Sequence, residues 1–223
     1  MWWWVVRVSQ VMIQESKRTN TFTNVPRLLV FATNNIMLSS YTYTVLEEIV
    51  ILYMNIHPLL VHFPIGILVL YTAFEILRFS FIVKRPAYFE IKAILIILGT
   101  ISAYLTFSTG EIAEELIQVT DPTKMPLVEI HSMYAGATVV IFSILAGTYL
   151  VEWCRRNNFL SFITKIGIIQ KLTRFILRFS PLLAILGLIT ITITGGLGAA
   201  IVYGPDVDPF VNFIYKIFIT TLE

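Results

Sequence analysis

The chain has 223 residues, of which 57% are apolar and 13% are charged, and its formal net charge is +2. Soluble domains carry about 25% charged residues. With a mean hydropathy of +0.79, this composition excludes a disordered chain, a nucleic-acid-binding protein and an ordinary soluble enzyme. Cys154, the single cysteine, excludes a disulfide framework, a cysteine zinc cluster and the C-x-x-C-H attachment of c-type haem. The class that remains is a polytopic membrane protein.

The first 53 residues differ from the rest of the chain. The opening MWWWVV is apolar, but it lacks the positive region and the small-residue cleavage site of a signal peptide. A later apolar stretch, residues 28–38, is interrupted by Asn34 and Asn35 and is too short to cross a bilayer. We therefore predict an N-terminal extension over residues 1–53, which is either a start-site extension or a loosely packed surface segment, and a membrane domain over residues 54–223.

Four apolar stretches are long enough to cross the membrane as helices, since a span needs roughly 20 predominantly apolar residues. They cover residues 59–83, 91–109, 130–153 and 181–202, and proline, glycine or charged residues separate them. The sequence therefore predicts an all-α fold, a four-helix transmembrane bundle.

The distribution of lysine and arginine predicts the orientation of this bundle. The first and third links between spans carry the basic residues Arg78, Lys84, Arg85, Lys92, Arg155, Arg156, Lys165, Lys171, Arg174 and Arg178. The second link has one lysine, Lys124, and the acids Glu111, Glu114, Glu115, Asp121 and Glu129. The positive-inside rule places both basic links on the cytoplasmic side of the cell (inner) membrane. The acidic link and both ends of the four-span core then lie on the outer side.

Two further segments are predicted to be helices that do not cross the membrane. Residues 159–178 place basic side chains on one stripe, which is typical of an interfacial cytoplasmic helix that faces anionic headgroups. That stripe consists of Gly167, Lys171, Arg174 and Arg178. Residues 209–219 predict a short outer C-terminal helix, in which Asp208 is the N-cap and Pro209 the first helical residue.

All three histidines lie at the predicted outer face. His57 and His62 open the first span, and His131 opens the third. Ionisable groups within a membrane indicate function, because each is costly to bury without a partner. Pro64 cannot donate to the carbonyl of Leu60, which leaves an acceptor near the start of the first span. Imidazoles at matched depth on separate helices could bind a haem iron or a smaller metal ion.

Each of these side chains also has a structural interpretation. His57 could be an interfacial end residue, and His62 could hydrogen-bond a carbonyl near Pro64. His131 could pair with Glu129, Glu111 or Glu115. The acids Glu111, Glu114 and Glu115 could be solvated loop residues, and Asp206 and Asp208 turn and cap residues.

The opposite end of the bundle is expected to carry little chemistry. Glu75 and Arg78, three residues apart, are interpreted as a local ion pair whose side chains snorkel to the surface. The remaining charges at that end are nearly all basic loop residues. No polar cluster comparable to the histidine group is therefore predicted there.

Small residues form two pairs with helical spacing. Gly99 and Ala103 lie in the second span, and Gly195 and Ala199 in the fourth. Such pairs allow close helix approach. The glycines of the fourth span, Gly195, Gly196 and Gly198, could equally make room for a flat macrocycle, although close packing is the favoured interpretation.

The strings HPLLVHFPIG, TGEIAEEL, IHSMYAG and GGLGAAIVYGPDVDP together suggest a family. They resemble a bacterial family of four-span membrane proteins catalogued as domain of unknown function 2231, over residues 54 to about 215. The resemblance implies histidines at the positions of His57, His62 and His131, and an acidic helix end at Glu111, Glu114 and Glu115. Related domains that are joined to cytochrome c-like modules hint at membrane electron transfer.

Three functions remain open at this point. The first is an electron-transfer module that binds haem b near the outer face, with His62 and His131 as axial ligands beside Gly195, Gly196 and Gly198. The second is a protein that binds or handles one metal ion, zinc, copper(II) or iron, through His57, His62, His131 and Glu111 or Glu115. The third is a cofactor-free structural subunit of a membrane complex.

An enzyme is not favoured, because the chain has no nucleophile elbow and no H-E-x-x-H signature. The expected partners are the lipid bilayer and either a membrane redox partner or a second copy of the chain, with no nucleic acid.

Overall fold

The computed structural model describes residues 56–77, 83–85, 87–159, 161–164 and 166–219. Within these residues every regular element is a helix. The predicted N-terminal extension, residues 1–53, lies outside the described residues, as do Arg78 and Lys165.

Four helices are long and apolar enough to cross a membrane, which confirms the predicted fold class. The apolar segment Ile56–Ile76 contains α1 (His62–Ile76), and α2 covers Tyr88–Thr120. The other two are α3 (Met125–Arg156) and α5 (Gly167–Tyr203). Their apolar windows have mean hydropathies of 1.8 to 2.1. At 1.5 Å per residue α2 is about 50 Å long, so it extends beyond a hydrocarbon core of about 30 Å.

Short elements join and follow the spanning helices. A 3₁₀ turn, Pro122–Lys124, links α2 to α3, and α4 (Ser161–Thr164) precedes α5. In this turn between α2 and α3, Thr123 donates a hydrogen bond to Asp121, which holds the pKa of that exposed carboxyl below its ordinary value.

The predicted C-terminal helix is present as α6 (Pro209–Ile219). Asp208 Oδ1 accepts hydrogen bonds from the amides of Phe210 and Val211 at 2.8 and 2.9 Å, so the predicted N-cap is confirmed.

The predicted end of the first span is wrong. α1 ends at Ile76 and Leu77 is not helical, whereas the apolar pattern favoured a span to residue 83. The hydroxyl of Tyr88 donates to the carbonyl of Phe74 at 2.5 Å, which ties the last turn of α1 to the start of α2. Hydropathy alone does not register this contact, because Tyr88 belongs to the next helix.

The predicted boundary between the segment 159–178 and the fourth span is also wrong. α5 runs without interruption from Gly167 through Pro181. Proline at this position cannot donate to the carbonyl of Leu177. The hydroxyl of Ser180 lies 2.9 Å from that carbonyl oxygen and can replace the missing donor. The side chains of the predicted basic stripe are exposed on the first turns of α5, and their interfacial position stays a prediction.

Small residues set the distance between helices in the core. A Cβ added to Gly99 of α2 would lie 2.5 Å from Leu68 Cδ2 of α1, and one added to Gly187 of α5 would lie 2.6 Å from Phe142 Cζ of α3. Leu68 and Phe142 are fully buried. The packing interpretation of the Gly99–Ala103 pair is therefore confirmed.

The four long helices form a closed bundle in which α1 and α3 each pack against both α2 and α5. Neighbouring helices along the chain run in opposite directions. The starts of α1 and α3 therefore meet the C-terminal parts of α2 and α5, and this is called the histidine end below. The other end, where α1 and α3 finish, is called the Glu75 end.

Candidate functional site

His57 connects the start of the first span to α2. Its Nδ1 lies 3.1 Å from Thr109 Oγ1 and 3.2 Å from the carbonyl oxygen of Thr106. The ring packs on Gly110, where an added Cβ would be 3.0 Å from Cε1. The interpretation of His57 as a plain interfacial end residue is therefore incomplete, since its half-buried ring joins two helices.

His131 makes the equivalent contact between α3 and α5. Its Nδ1 lies 3.0 Å from the carbonyl oxygen of Thr194, and its ring packs on Gly198. A carbonyl only accepts hydrogen bonds, so Nδ1 carries the proton and Nε2 of a neutral ring keeps its lone pair. The same reasoning holds for His57, whose Nδ1 faces a carbonyl and a hydroxyl. Both rings thus have Nε2 available to a ligand.

His57 and His131 belong to separate helices of the histidine end, whereas the sequence paired His131 with His62. The sequence also allows an ion pair between His131 and nearby glutamates. Its hydrogen bond goes instead to the backbone of Thr194.

His62 lies on another face of the first span. Five residues of helix rotate His62 by about 140° from His57. His62 is exposed, between Leu59 and Phe63, which are 64% and 57% exposed. Its Nδ1 lies 2.8 Å from the carbonyl oxygen of Pro58 in the same segment. His62 therefore makes a structural hydrogen bond, but to the carbonyl of Pro58 rather than to the carbonyl that Pro64 leaves free.

The carbonyl freed by Pro64 has a partner on α2. Thr106 Oγ1 donates to the Leu60 carbonyl oxygen at 3.3 Å. The sequence predicted that this carbonyl would lack its helical hydrogen-bond donor, but it could not identify the group that donates to it instead. Thr106 also offers its own carbonyl to His57, so one residue of α2 fixes two positions of the first span.

The acidic residues of the histidine end stay near the surface. Glu111 is exposed and Glu115 half-exposed, and neither makes a hydrogen bond or ion pair within the described part of the chain. In the same residues no three His, Cys, Asp or Glu side chains are grouped to hold a metal ion. The set proposed from the sequence for one metal ion is therefore not gathered into a common site here.

The glycines of the fourth span have different surroundings. Gly196 faces Ile214 of α6, and Gly198 faces His131. Nothing lies within 4 Å of a Cβ added at Gly195. Close packing therefore accounts for two of the three glycines, whereas Gly195 leaves open space beside α5.

Sequence reasoning missed a polar cluster at the Glu75 end. The carboxylate of Glu75 is fully buried and contacts three groups on three other helices. Lys92 Nζ of α2 lies 2.9 Å from Oε2, Tyr149 of α3 donates to Oε2 at 2.5 Å, and Ser180 Oγ of α5 lies 2.7 Å from Oε1. The expectation that no polar cluster forms at this end is wrong.

The interpretation of Glu75 as a snorkelling side chain is also wrong, because its exposed fraction is zero. Its proposed partner Arg78 lies outside the described residues. The charge pattern places Lys92 in a basic link, yet Lys92 is 6% exposed. Its Nζ lies over the rings of Tyr88 and Tyr149, 4.8 and 5.3 Å from their centroids. One sequence signal could have predicted the Glu75–Lys92 pair. A lysine lies one turn inside an apolar span, and a glutamate lies near the adjacent end of the preceding span.

Comparison with protein families identifies one match. The family described as "Predicted membrane protein (DUF2231)" covers residues 53–208. This is well over half of the chain, and the chain belongs to that family. Searches of curated proteins and of solved structures gave no match.

Proposed function

We propose that this integral membrane protein binds a redox cofactor, haem b, at the histidine end and acts as an electron-transfer module. One observation carries the proposal: the Nδ1 atoms of His57 and His131 face oxygen acceptors on neighbouring helices, which leaves both Nε2 atoms available. Ligating histidines ordinarily donate their second ring nitrogen to a carbonyl or carboxylate in this way.

The donor set favours haem over a bare metal ion. A structural or catalytic zinc site takes three or four protein ligands. Among the described residues no such group is assembled. A haem iron needs only one or two protein ligands, because the macrocycle supplies the other donors. Two imidazoles on separate helices of the histidine end supply that number of ligands.

The roles of the chain's own residues follow from these contacts. His57 and His131 would ligate the iron through Nε2, while Thr106 and Thr194 hold each ring in its tautomer. The sequence favoured His62 as the partner of His131; the exposure of His62 favours His57 instead. When bound, haem b supplies one-electron redox chemistry. A membrane redox partner would receive or deliver the electron.

We also propose an orientation in the inner membrane, with the Glu75 end on the cytoplasmic side. Lys92 no longer counts as a surface charge, since it is buried beside Glu75. The exposed basic residues at that end still outnumber those at the histidine end: Lys84, Arg85, Arg155, Arg156, Lys171, Arg174 and Arg178. The positive-inside rule therefore supports the same orientation as before.

The test is an absorption spectrum with metal analysis of full-length protein purified in detergent from haem-replete cells. We expect a Soret band in stoichiometric amount, which is lost in His131→Ala and in His57→Ala. His62→Ala is the matched control, because it removes an imidazole of the same span on an exposed face, and it should keep the band.

Several results would overturn this proposal. A colourless protein that takes up no added haem argues for the structural role of the histidines. Stoichiometric metal without porphyrin argues for the metal-binding alternative. A Soret band that survives in His57→Ala but disappears in His62→Ala would show that our choice of the second ligand is wrong.

A further inference from the structure

A cavity of about 280 Å³ lies at the Glu75 end, away from the histidines. Its walls come from the last turns of α3, from α4 and from the first turns of α5. The lining residues are Val151, Glu152, Arg155, Thr164, Gln170, Thr173, Arg174 and Leu177. A water molecule occupies about 30 Å³ of liquid, so a phosphate group with part of its ester fits this volume.

Two threonine hydroxyls in the cavity wall have no hydrogen bond within the described part of the chain. Thr164 and Thr173 are only 5% and 6% exposed, so each is more than nine-tenths buried. Neither hydroxyl oxygen is fully enclosed. Among the described residues, the fully enclosed side-chain atoms without a hydrogen-bond partner belong to Tyr71, Thr72 and Glu90. Both residues line a space that a ligand can enter.

The charge of the cavity favours an anion. Among the described lining residues Glu152 is the only acid, and it is neutralised by Arg155 at 2.6 Å and by the adjacent Arg156 at 3.0 Å. Arg174 uses Nε to donate to the carbonyl of Gln170 at 3.3 Å, and within the described residues no carboxylate pairs with its guanidinium. α5 also begins here without a side-chain cap, so its positive dipole end adds to the same field.

The surface around the cavity is strongly apolar. Large side chains next in sequence to the lining residues are exposed on the segment before α5 and on the first turns of α5: Phe159, Phe162, Ile166, Ile168, Leu172 and Phe175, exposed by 46% to 74%. A small soluble anion has no apolar part that could cover these side chains. The acyl chains of a lipid would cover it, and basic pockets between transmembrane helices are known binding places for anionic headgroups.

We propose that this cavity binds the phosphate of an anionic phospholipid such as phosphatidylglycerol. Arg174 supplies the charged donor, and Thr164 and Thr173 supply hydroxyl donors. The acyl chains lie on the exposed apolar side chains of the α4–α5 segment. This site is independent of the haem proposal, since it shares no residue with the histidine end.

The experiment measures binding of short-chain phosphatidylglycerol to the full-length protein in a neutral detergent by titration calorimetry. Short-chain phosphatidylcholine and inorganic phosphate are the comparison probes. Arg174→Gln should weaken phosphatidylglycerol binding roughly tenfold, the loss expected when a charge-assisted hydrogen bond is removed. Thr173→Val, which removes a hydroxyl without changing charge, should weaken it by a smaller factor.

Arg178→Gln is the matched control, because Arg178 is exposed on the same stripe of α5 and does not line the cavity. It should change binding by no more than about twofold, as expected for a screened surface charge. Equal losses in Arg174→Gln and Arg178→Gln would reduce the effect to general surface attraction and overturn the proposal. Equal affinity for phosphatidylcholine, or an affinity for inorganic phosphate that matches the lipid's, would also overturn it.

Discussion

Glu75→Gln is the substitution that most directly tests how the bundle is held together. Glutamine keeps the size of the side chain, and its oxygen can still accept from Tyr149 or Ser180. The negative charge that faces Lys92 at 2.9 Å is removed. Lys92, which is 6% exposed, is then left as a buried cation without this partner.

The expected magnitude follows from the burial of both groups. Removal of one partner from a buried ion pair costs about 3–5 kcal/mol, because the other charge stays desolvated. We expect the lower part of that range, since the amide keeps some hydrogen bonds. Glu152→Gln is the matched control: the side chains of its partners Arg155 and Arg156 are 52% and 46% exposed, so its loss should be at most about 1 kcal/mol.

The assay is reversible unfolding in mixed micelles, followed by helical circular dichroism as the denaturing detergent increases. The free energies of unfolding are compared for Glu75→Gln, for Lys92→Met, for the double variant and for Glu152→Gln. Because the double variant removes both charges, it should be at least about 1 kcal/mol more stable than the sum of the single losses predicts. Additive losses, or a Glu75→Gln effect no larger than that of Glu152→Gln, would refute the reasoning.

Two further predictions concern packing and orientation. Gly99→Ala should destabilise the protein by about 1–3 kcal/mol in the same unfolding assay, because the new Cβ would lie 2.5 Å from Leu68. Gly195→Ala is the control: no atom lies within 4 Å of the new Cβ, so this substitution should be neutral or slightly stabilising. In a Cys154→Ser background, a cysteine at position 84 should resist a membrane-impermeant thiol reagent in intact cells, and one at position 123 should react. The reverse pattern would overturn the proposed orientation.

The spans could be predicted because length and hydropathy are local properties of the sequence. The position of each histidine relative to its neighbours could not. His57 and His62 are both near the start of the first span, and only the placement of α2 decides that His57 is covered while His62 is exposed. The N-cap of α6 was predicted for the opposite reason, since Asp208 and the amides it binds are adjacent in the chain.

The Glu75 cluster was missed because its members are far apart in sequence. Lys92 follows Glu75 by 17 residues, and Ser180 follows it by 105. A charge count over the links assigns Lys92 to a loop. In the structure Lys92 lies one turn after the start of α2 and is buried in the bundle. The continuity of α5 was missed for a related reason, because it depends on a hydroxyl that a proline-based boundary rule does not consider.

That hydroxyl has only one proton to give. Ser180 Oγ lies within hydrogen-bond distance both of Glu75 Oε1 and of the Leu177 carbonyl that Pro181 leaves unmatched. A serine donates to one acceptor at a time, so the carboxylate on one helix and the main chain of another compete for the same hydrogen. A change in the hydrogen bonding of Glu75 therefore also changes the support of the main chain at Pro181, in the longest of the described helices.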